Sequence, residues 1–561
     1  MQKSGKLELT WVGKYEQKEI EPRILVENPE LSYGDQDTGN MLIHGDNLIA
    51  LKALEQDYAG KIKCIYIDPP YNTGSAFEYY DDGLEHSEWL NMMRPRLQIL
   101  QRLLSECGTI WIQIDEEEQA YLKVLCDEVF GRDNFINMIA VNAKVSAGAS
   151  GGGEDKKLKK NIEYILVYCK DFNYFEQFKP EYKFTELMAY IDRMKADNKS
   201  FKYTSVLYKC ENREYFDTIK DGAGDDIVIE KVNTYEIKSV NEVAKIEGIS
   251  LKQVYQKYYN QIMTTTNAQT SIRTRVWDAT DSENNMYIAT YIPKTGKDKG
   301  NKKELLFMGK QKVLVIWLKD TAEMVKNDIY KKEKVGTYWD GFSWINVTKE
   351  GGVLFPNGKK PETLVQRVFN MATDENDIVL DSFAGSGTTV ATAHKMNRKW
   401  ITIELGEQAY THCKVRLDRV IDGEQGGISK AVNWQGGGGY KFYELAPSLL
   451  VPNPKLPTIK QINPEYTFEM MCEAICKLEG FKYKPDGKFQ GKSSEQRFIH
   501  ITKEFVNGEY INSLLANIGE GQSLLVYGTK IQSGLRFPDN IVVKKIPKDL
   551  LDKCTFESEV K

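Results

Sequence analysis

The sequence predicts an α/β fold: a mixed sheet with helices on both faces, interrupted by a long inserted module and followed by a small C-terminal one. Three observations predict it. Short apolar strands alternate with amphipathic helices from Met41 to about residue 172. That rhythm is lost from 173 to 334 and is regular again from Lys360. Two strand ends far apart in the chain carry turns of the kind that hold ligands, Asp-Pro-Pro-Tyr at 68–71 and Gly-Ser-Gly at 385–387.

Residues 1–40 mix short apolar stretches with charges and turn residues and read as an arm. MLIHGD (41–46) is a strand, NLIALKALEQDYAG (47–60) a helix and KIKCIYID (61–68) a second strand, so a right-handed crossover and a parallel pair are expected. SEWLNMMRPRLQILQRLLSECG is a helix that Pro95 should kink. GTIWIQID is a strand and EEEQAYLKVLCDEVFG a helix. NFINMIAVNAK and NIEYILVYCK are strands on either side of the Gly/Ser-rich SAGASGGGEDKKLKK. After the irregular stretch, PETLVQRVFNMA is a helix, DIVLDSF a strand, SGTTVATAHKMN a helix, KWITIEL a strand and GEQAYTHCKVRLDRVIDG a helix. The run WQGGGG (434–439) is expected to end this unit. Prolines at 447, 452, 454 and 457 read as a linker into a small α/β module. The divisions are therefore an arm (1–40), a first half (41–172), an inserted module (173–334), a second half (335–445) and an accessory module (446–561).

Composition narrows the function. The 561 residues are 41% hydrophobic and 28% charged, as in soluble globular chains. No apolar run approaches a membrane span and the N-terminus lacks a secretory h-region, so a cytoplasmic protein without a membrane partner is expected. The nine cysteines form no framework; Cys472 and Cys476 have helical spacing, and free thiols are expected. No cluster with metal-ligand spacing stands out. The net charge of −5 does not suit a nonspecific nucleic-acid binder, although local patches matter more than the sum. Lys156, Lys157, Lys159 and Lys160 form one such patch, and Lys294, Lys297, Lys299, Lys302 and Lys303 another. Either reads equally as a solvated loop. The nearest approach to a P-loop, GKFQGKS from Gly487, is one residue too short.

In KCIYIDPPYNTG, Asp68, Pro69, Pro70 and Tyr71 lie at the carboxyl end of a buried parallel strand, where open α/β sheets bind ligands. Two prolines fix φ and remove two donors while leaving the carbonyls. The Asp68 carboxylate and the Pro69 carbonyl can then act as a rigid pair of acceptors beside an aromatic face. An exocyclic ring amine is a weak nucleophile. Two acceptors on its N–H protons favour a pyramidal nitrogen and aim its lone pair.

VLDSFAGSGTT places Gly385 and Gly387 between a strand and a helix, where small residues let a ligand approach the backbone. Asp381 and Thr388 bracket the turn. Glu404 ends the next strand, 23 residues after Asp381, a spacing suited to a ribose diol. Together these read as the site of an adenosine-type cofactor. Asp46, at a third strand end, is a candidate for the cofactor's adenine or for capping the helix that follows.

These residues resemble the amino-methyltransferases of DNA. Asp68-Pro69-Pro70-Tyr71 looks like their catalytic motif and Phe383-Ala384-Gly385-Ser386-Gly387 like their Phe-x-Gly-x-Gly cofactor motif. The order, catalytic motif first, is similar to the permuted β class. ELTWVGKYE, GDNLIALKAL, IDPPYNTGSAFEYYDD, LFPNGKKP (354–361) and the glycines 436–439 resemble modification subunits of type III restriction–modification systems. The likeness covers roughly 7–172 and 335–445. It implies a Rossmann-like, circularly permuted S-adenosylmethionine-dependent fold without a metal, acting on double-stranded DNA. Asp68 and Tyr71 would act on a flipped adenine. Phe383, Gly385 and Gly387 would hold S-adenosylmethionine, with Glu404 on its ribose and Lys360-Pro361 near its methionine end. The aspartate at 68 favours adenine N6, since cytosine-N4 enzymes of this group usually have serine there. A homodimer and a helicase–nuclease partner are implied by the resemblance alone. The rival readings are a cytosine-N4 or RNA methyltransferase on the same fold, and a recognition subunit that no longer catalyses.

The inserted module would then recognise the target. NEVAKIEGISLKQVYQKYY has Ala244, Gly248 and Val254 at helix-turn-helix spacing, and a second helix over 251–259 would bring Lys252, Gln253, Gln256 and Lys257 to base edges. An ordinary helical hairpin fits the same pattern. Arg273 and Arg275 in SIRTRVW are candidates for phosphate contacts or for surface ion pairs.

Overall fold

KIKCIYID does form a strand buried on both faces, and a sheet of eleven strands is built around it. The structure, a computed structural model, describes residues 8–16, 20–72, 84–143, 160–268, 270–283, 285–294, 299–344, 347–355 and 358–551. It divides into two units, 1–179 with 336–561 and 180–335.

The main path of this sheet, in the first unit, comprises Leu25–Glu27 (β1), Met41–His44 (β2), Ile62–Ile67 (β3), Leu104–Ile114 (β4), Phe135–Asn142 (β5), Ile162–Cys169 (β6), Tyr338–Trp339 (β7), Ile378–Asp381 (β8), Lys399–Glu404 (β9) and Gly439–Leu445 (β10). Their order across the sheet is β1-β10-β2-β9-β8-β3-β4-β6-β5-β7, and Tyr33–Gly34 also pairs with β10. The central pairs from β10 to β4 are parallel, whereas β6 is antiparallel to both β4 and β5.

Helices cover both faces. Asn47–Tyr58 (α1), His86–Leu103 (α2) and Gln119–Phe130 (α3) pack one side. In α2, Trp89, Met93, Leu97 and Leu100 recur at helical spacing and are fully buried. The helix runs through Pro95 as one element. Ile401 and Ile403 of β9 join that core. Trp400, which alternates with them, turns to the other face and donates its Nε1 to His394 at 3.1 Å. His394 belongs to Thr388–Lys395, which lies on that face with Glu362–Ala372 and Val415–Ile421; in chain order these are α4 (Glu362–Ala372), α5 (Thr388–Lys395) and α6 (Val415–Ile421). Burying one such large apolar side chain contributes about 1.5–3 kcal/mol.

Two expectations change. The arm is woven into the sheet, since β1 and Tyr33–Gly34 both pair with β10. The glycine run does not end the unit: it leads into β10, which runs parallel to β2. Glycine is needed there because a Cβ on Gly439 would stand 2.3 Å from the backbone of Asp35. The accessory module is a five-stranded mixed sheet whose core includes Met471, Ile475, Ile499 and Ile501, joined by Ile24 of the arm.

The second unit holds a closed six-stranded barrel (205–220, 226–239, 262–266, 286–291, 303–308, 313–317) and a three-stranded sheet. Val240–Glu247 and Leu251–Lys257 form a helical pair, each with a capping box, joined through Gly248 at φ +65°. Lys156, Lys157, Lys159 and Lys297 lie outside the described residues, as does 73–82 of the aligned segment IDPPYNTGSAFEYYDD. Among the described residues no helix is long and apolar enough to cross a membrane.

Candidate active site

β3 and β8 pair in parallel, Cys64 with Val379 and Ile65 with Leu380, so the turns that follow them leave the same sheet edge side by side. Between them is a cleft of about 100 Å³, lined from the first half by Tyr66, Asp68, Pro69, Pro70 and Tyr71 and from the second by Phe355, Lys359, Lys360, Asp381, Phe383, Gly385, Ser386, Thr388 and Thr389.

The first turn is stiff and rich in side-chain function. The Pro70 carbonyl accepts from Trp89 Nε1 at 2.8 Å, and Trp89 is fully buried. Asp68 Oδ2 lies 3.1 Å from Lys360 Nζ, and Oδ1 is a buried atom with no hydrogen-bond partner among the described residues. The Tyr71 hydroxyl donates to Glu163 Oε2 at 3.0 Å. The same oxygen accepts from Gln113 Nε2 at 2.6 Å and lies 3.4 Å from Lys360 Nζ. That ammonium is also 4.8 Å from the centre of the Tyr71 ring. Gln113 in turn accepts from the Tyr66 hydroxyl.

The second turn works through its backbone. Gly385 and Gly387 have φ +52° and +73°, in the left-handed region that favours glycine. A Cβ on Gly387 would also touch Cys413 Cα at 3.4 Å. Asp381 Oδ1 accepts from the Phe383 N–H at 2.9 Å. Behind the turn, fully buried Arg416 donates to Thr388 Oγ1 at 2.7 Å and to Glu362 Oε1 at 2.8 Å. Glu362 Oε2 also accepts from Lys395 at 2.8 Å. A buried cation is retained only where it is paired in this way.

The electrostatics separate the two turns. Burial raises the Asp68 carboxyl, Lys360 opposes that, and nearby Glu163 adds to it. Burial acts against the Lys360 charge, but Asp68 and then Glu163 outweigh it and raise the ammonium. For Glu163 burial is likewise outweighed, by Lys360 first and then by Gln113 and Tyr71, so its carboxyl is lowered. Asp381 is pushed up to about 7, chiefly by burial.

Of the residues singled out in the sequence, Asp68, Pro69, Pro70, Tyr71, Lys360, Asp381, Phe383, Gly385 and Thr388 line the cleft together. Asp46, Pro361, Gly387 and Glu404 do not line it. Asp46 caps α1, accepting from the Leu48 and Ile49 N–H groups at 2.8 and 3.2 Å. Pro361 precedes α4. Glu404, expected at a ribose, accepts at its two oxygens from the Gly385 N–H at 2.7 Å and the Gly406 N–H at 3.1 Å, which ties it to the turn. Lys360, expected at a cofactor's methionine end, lines the cleft with its ammonium within ion-pair distance of both Asp68 and Glu163.

In the inserted module the candidate contacts have partners of their own. Lys252 pairs with Asp328 at 2.7 Å and Lys257 with Glu247 at 2.8 Å. Gln253 completes its helix's capping box and Gln256 donates to the Asn327 carbonyl. Arg273 donates to the Gln311 and Lys312 carbonyls and Arg275 to that of Lys220. The second helix stops at Lys257 rather than 259.

Sequence reasoning missed Glu163, Gln113 and Arg416. The signal for Glu163 is a single acid in the otherwise apolar NIEYILVYC.

Comparison with known proteins places the chain among related sequences. The Haemophilus influenzae protein named "Probable type III restriction-modification enzyme HindVI Mod subunit" is 42% identical over 418 residues, 73% of this chain and 54% of that protein. The type III EcoP15I Mod subunit of Escherichia coli is 27% identical over 511 residues, 78% of this chain and 71% of that protein. The chain thus spans about half the length of the first. The solved PvuII DNA methyltransferase, described as cytosine-N4-specific, aligns with 74% of this chain and 94% of its own at 12% identity and a TM-score of 0.32, too low to carry an argument. The model for N6/N4 methyltransferases, described as DNA methylase, matches residues 62–414, more than half of the chain, and the chain belongs to that family.

Proposed function

We propose that the chain is a site-specific DNA methyltransferase that moves a methyl group from S-adenosylmethionine to N6 of an adenine flipped out of duplex DNA. The observation that carries this reading is that one cleft is lined both by Asp68–Tyr71 and by Phe383, Gly385, Ser386 and Thr388. The cleft fits the cofactor: Phe383 offers an apolar wall, the start of α5 offers backbone donors to a carboxylate, and the carboxylates of buried Asp381 and partly exposed Asp68 suit the positive end. S-adenosylmethionine supplies an electrophilic methyl group on a sulfonium.

The chain's own residues do the rest. The Asp68 carboxylate and the Pro69 carbonyl accept the two amine protons, which holds the nitrogen lone pair toward the cofactor side of the cleft. The Tyr71 ring stacks on the flipped base, contributing about 1–3 kcal/mol. The aspartate at 68 supports adenine over cytosine. The likeness to Mod subunits supports a role as the modification subunit of a type III restriction–modification system, working in the cytoplasm with a helicase–nuclease partner and as a homodimer. The module at 180–335 would then read the target sequence.

Tritiated-methyl transfer to duplex DNA, followed by nucleoside chromatography, tests the reaction. N6-methyladenine is expected; N4-methylcytosine or no transfer overturns it. Methylome sequencing of a host expressing the chain gives the target sequence and reports whether one or both strands are methylated.

A further inference from the structure

Lys360 stands where the reading above places the target amine. Its ammonium lies 3.1 Å from Asp68 Oδ2 and 4.8 Å from the Tyr71 ring centre, so it donates to the acceptor and covers the face that an incoming base needs. Only 7% of the side chain is exposed. A second carboxylate shares it: Glu163 Oε2, 3.4 Å away. Glu163 reaches the site from β6, where Ile165, Leu166 and Val167 are fully buried apolar residues. A carboxylate in such a strand is costly unless paired. It is paired three ways, with Lys360, Gln113 and the Tyr71 hydroxyl.

We propose that Glu163 is a positioning residue that draws the Lys360 ammonium off Asp68 when the base enters, freeing Asp68 to accept the amine proton. This rests on the adenine-methylation reading. Two arguments carry it. The lysine nitrogen is already within ion-pair distance of both acids, so a small rotation of a flexible stem completes the transfer. Methyl transfer also carries positive charge from sulfur to the amine nitrogen. With both acids ionised and Lys360 charged, the trio sums to one negative charge facing that developing cation; without Glu163 it sums to zero. An ammonium left on Asp68 would both occupy the acceptor and repel the nascent cation. Because the Tyr71 hydroxyl hangs on the same oxygen, one carboxylate sets the lysine and the ring together.

The test uses the full chain and unmethylated plasmid DNA, with calorimetric binding of S-adenosylmethionine read beside steady-state methyl transfer. Glu163→Gln removes the charge but keeps an amide oxygen for the Tyr71 hydroxyl. It is expected to bind cofactor within about threefold of wild type and to lose at least about tenfold in kcat with a smaller change in KM for DNA. The double variant Glu163→Gln/Lys360→Met is expected to recover at least about threefold over Glu163→Gln, because no ammonium remains to occupy Asp68. Three results would overturn the assignment: wild-type turnover in Glu163→Gln, loss of its cofactor binding, or a double variant no faster than the single one. A wild-type chain that transfers no methyl group would instead overturn the methyltransferase reading and this assignment with it.

Discussion

The two turns at the sheet edge solve opposite problems. The Asp68–Tyr71 turn has its backbone stiffened by two prolines and presents side chains: a carboxylate, a ring and, through them, Lys360 and Glu163. The Phe383–Gly387 turn is stripped of side-chain bulk and presents backbone, held from behind by Glu404 and Arg416. A reacting atom needs charge at a fixed place, whereas a cofactor needs room and donors. The lesson is that losses at the first turn should cost turnover, and losses behind the second should cost stability and cofactor affinity.

Arg416→Ala should break the second turn most severely. It leaves Glu362 short of a buried partner and should cost about 3–5 kcal/mol of stability, read from urea unfolding. A loss under about 1 kcal/mol would mean that the network behind the turn is dispensable. Asp68→Ala should do the reverse, lowering methyl transfer about 10²–10³-fold or more with cofactor affinity retained. Retained transfer would remove it as an acceptor. Tyr71→Ala should lose about 1–3 kcal/mol of base stacking, or roughly 5–150-fold in transfer, and still bind cofactor. Glu404→Ala leaves the Gly385 and Gly406 N–H groups unpaired and should weaken S-adenosylmethionine binding through the turn by about 1–3 kcal/mol, measured by calorimetry.

The remaining effect is in pH. Asp381, at about 7, is protonated in the fold over a range where an unfolded aspartate has ionised. A raised carboxyl leaves stability intact below its unfolded value (about 4) and weakens the fold as pH climbs from there to 7. Asp381→Asn should flatten that slope in thermal unfolding scans. In the wild type a bound cation should expel the proton, so cofactor binding near pH 7 should release protons in calorimetry across buffers. An unchanged slope in the variant would place the titration elsewhere.

Much of the site could be read from sequence because its parts are local. A parallel strand ends, a turn follows, and the turn's residues announce their geometry: Pro69 and Pro70 by rigidity, Gly385 and Gly387 by the conformations they permit. The pairing of β3 with β8 could be expected only from the resemblance, since nothing local tells two apolar strands that they are neighbours. Glu163 and Lys360 were harder. One sits in an apolar strand and the other in a loop, and their meaning arises only where the fold brings them together. The destiny of the glycine run was misread for a related reason. Glycines mark a bend, and only the close approach of Asp35 shows that the bend feeds a further strand.

The module at 180–335 enters and leaves through paired backbone. The Val335 N–H donates to the Glu181 carbonyl at 2.9 Å, and Tyr182 stands in register with Lys334. Insertions whose two ends emerge together are tolerated well. This one could be lifted out as a cassette and replaced by another of different length, with the graft points at Lys179 and Gly336 unchanged. On the proposal that this module reads the target, new sequence preferences could then be acquired wholesale, by recombination, without any residue of the cleft being altered.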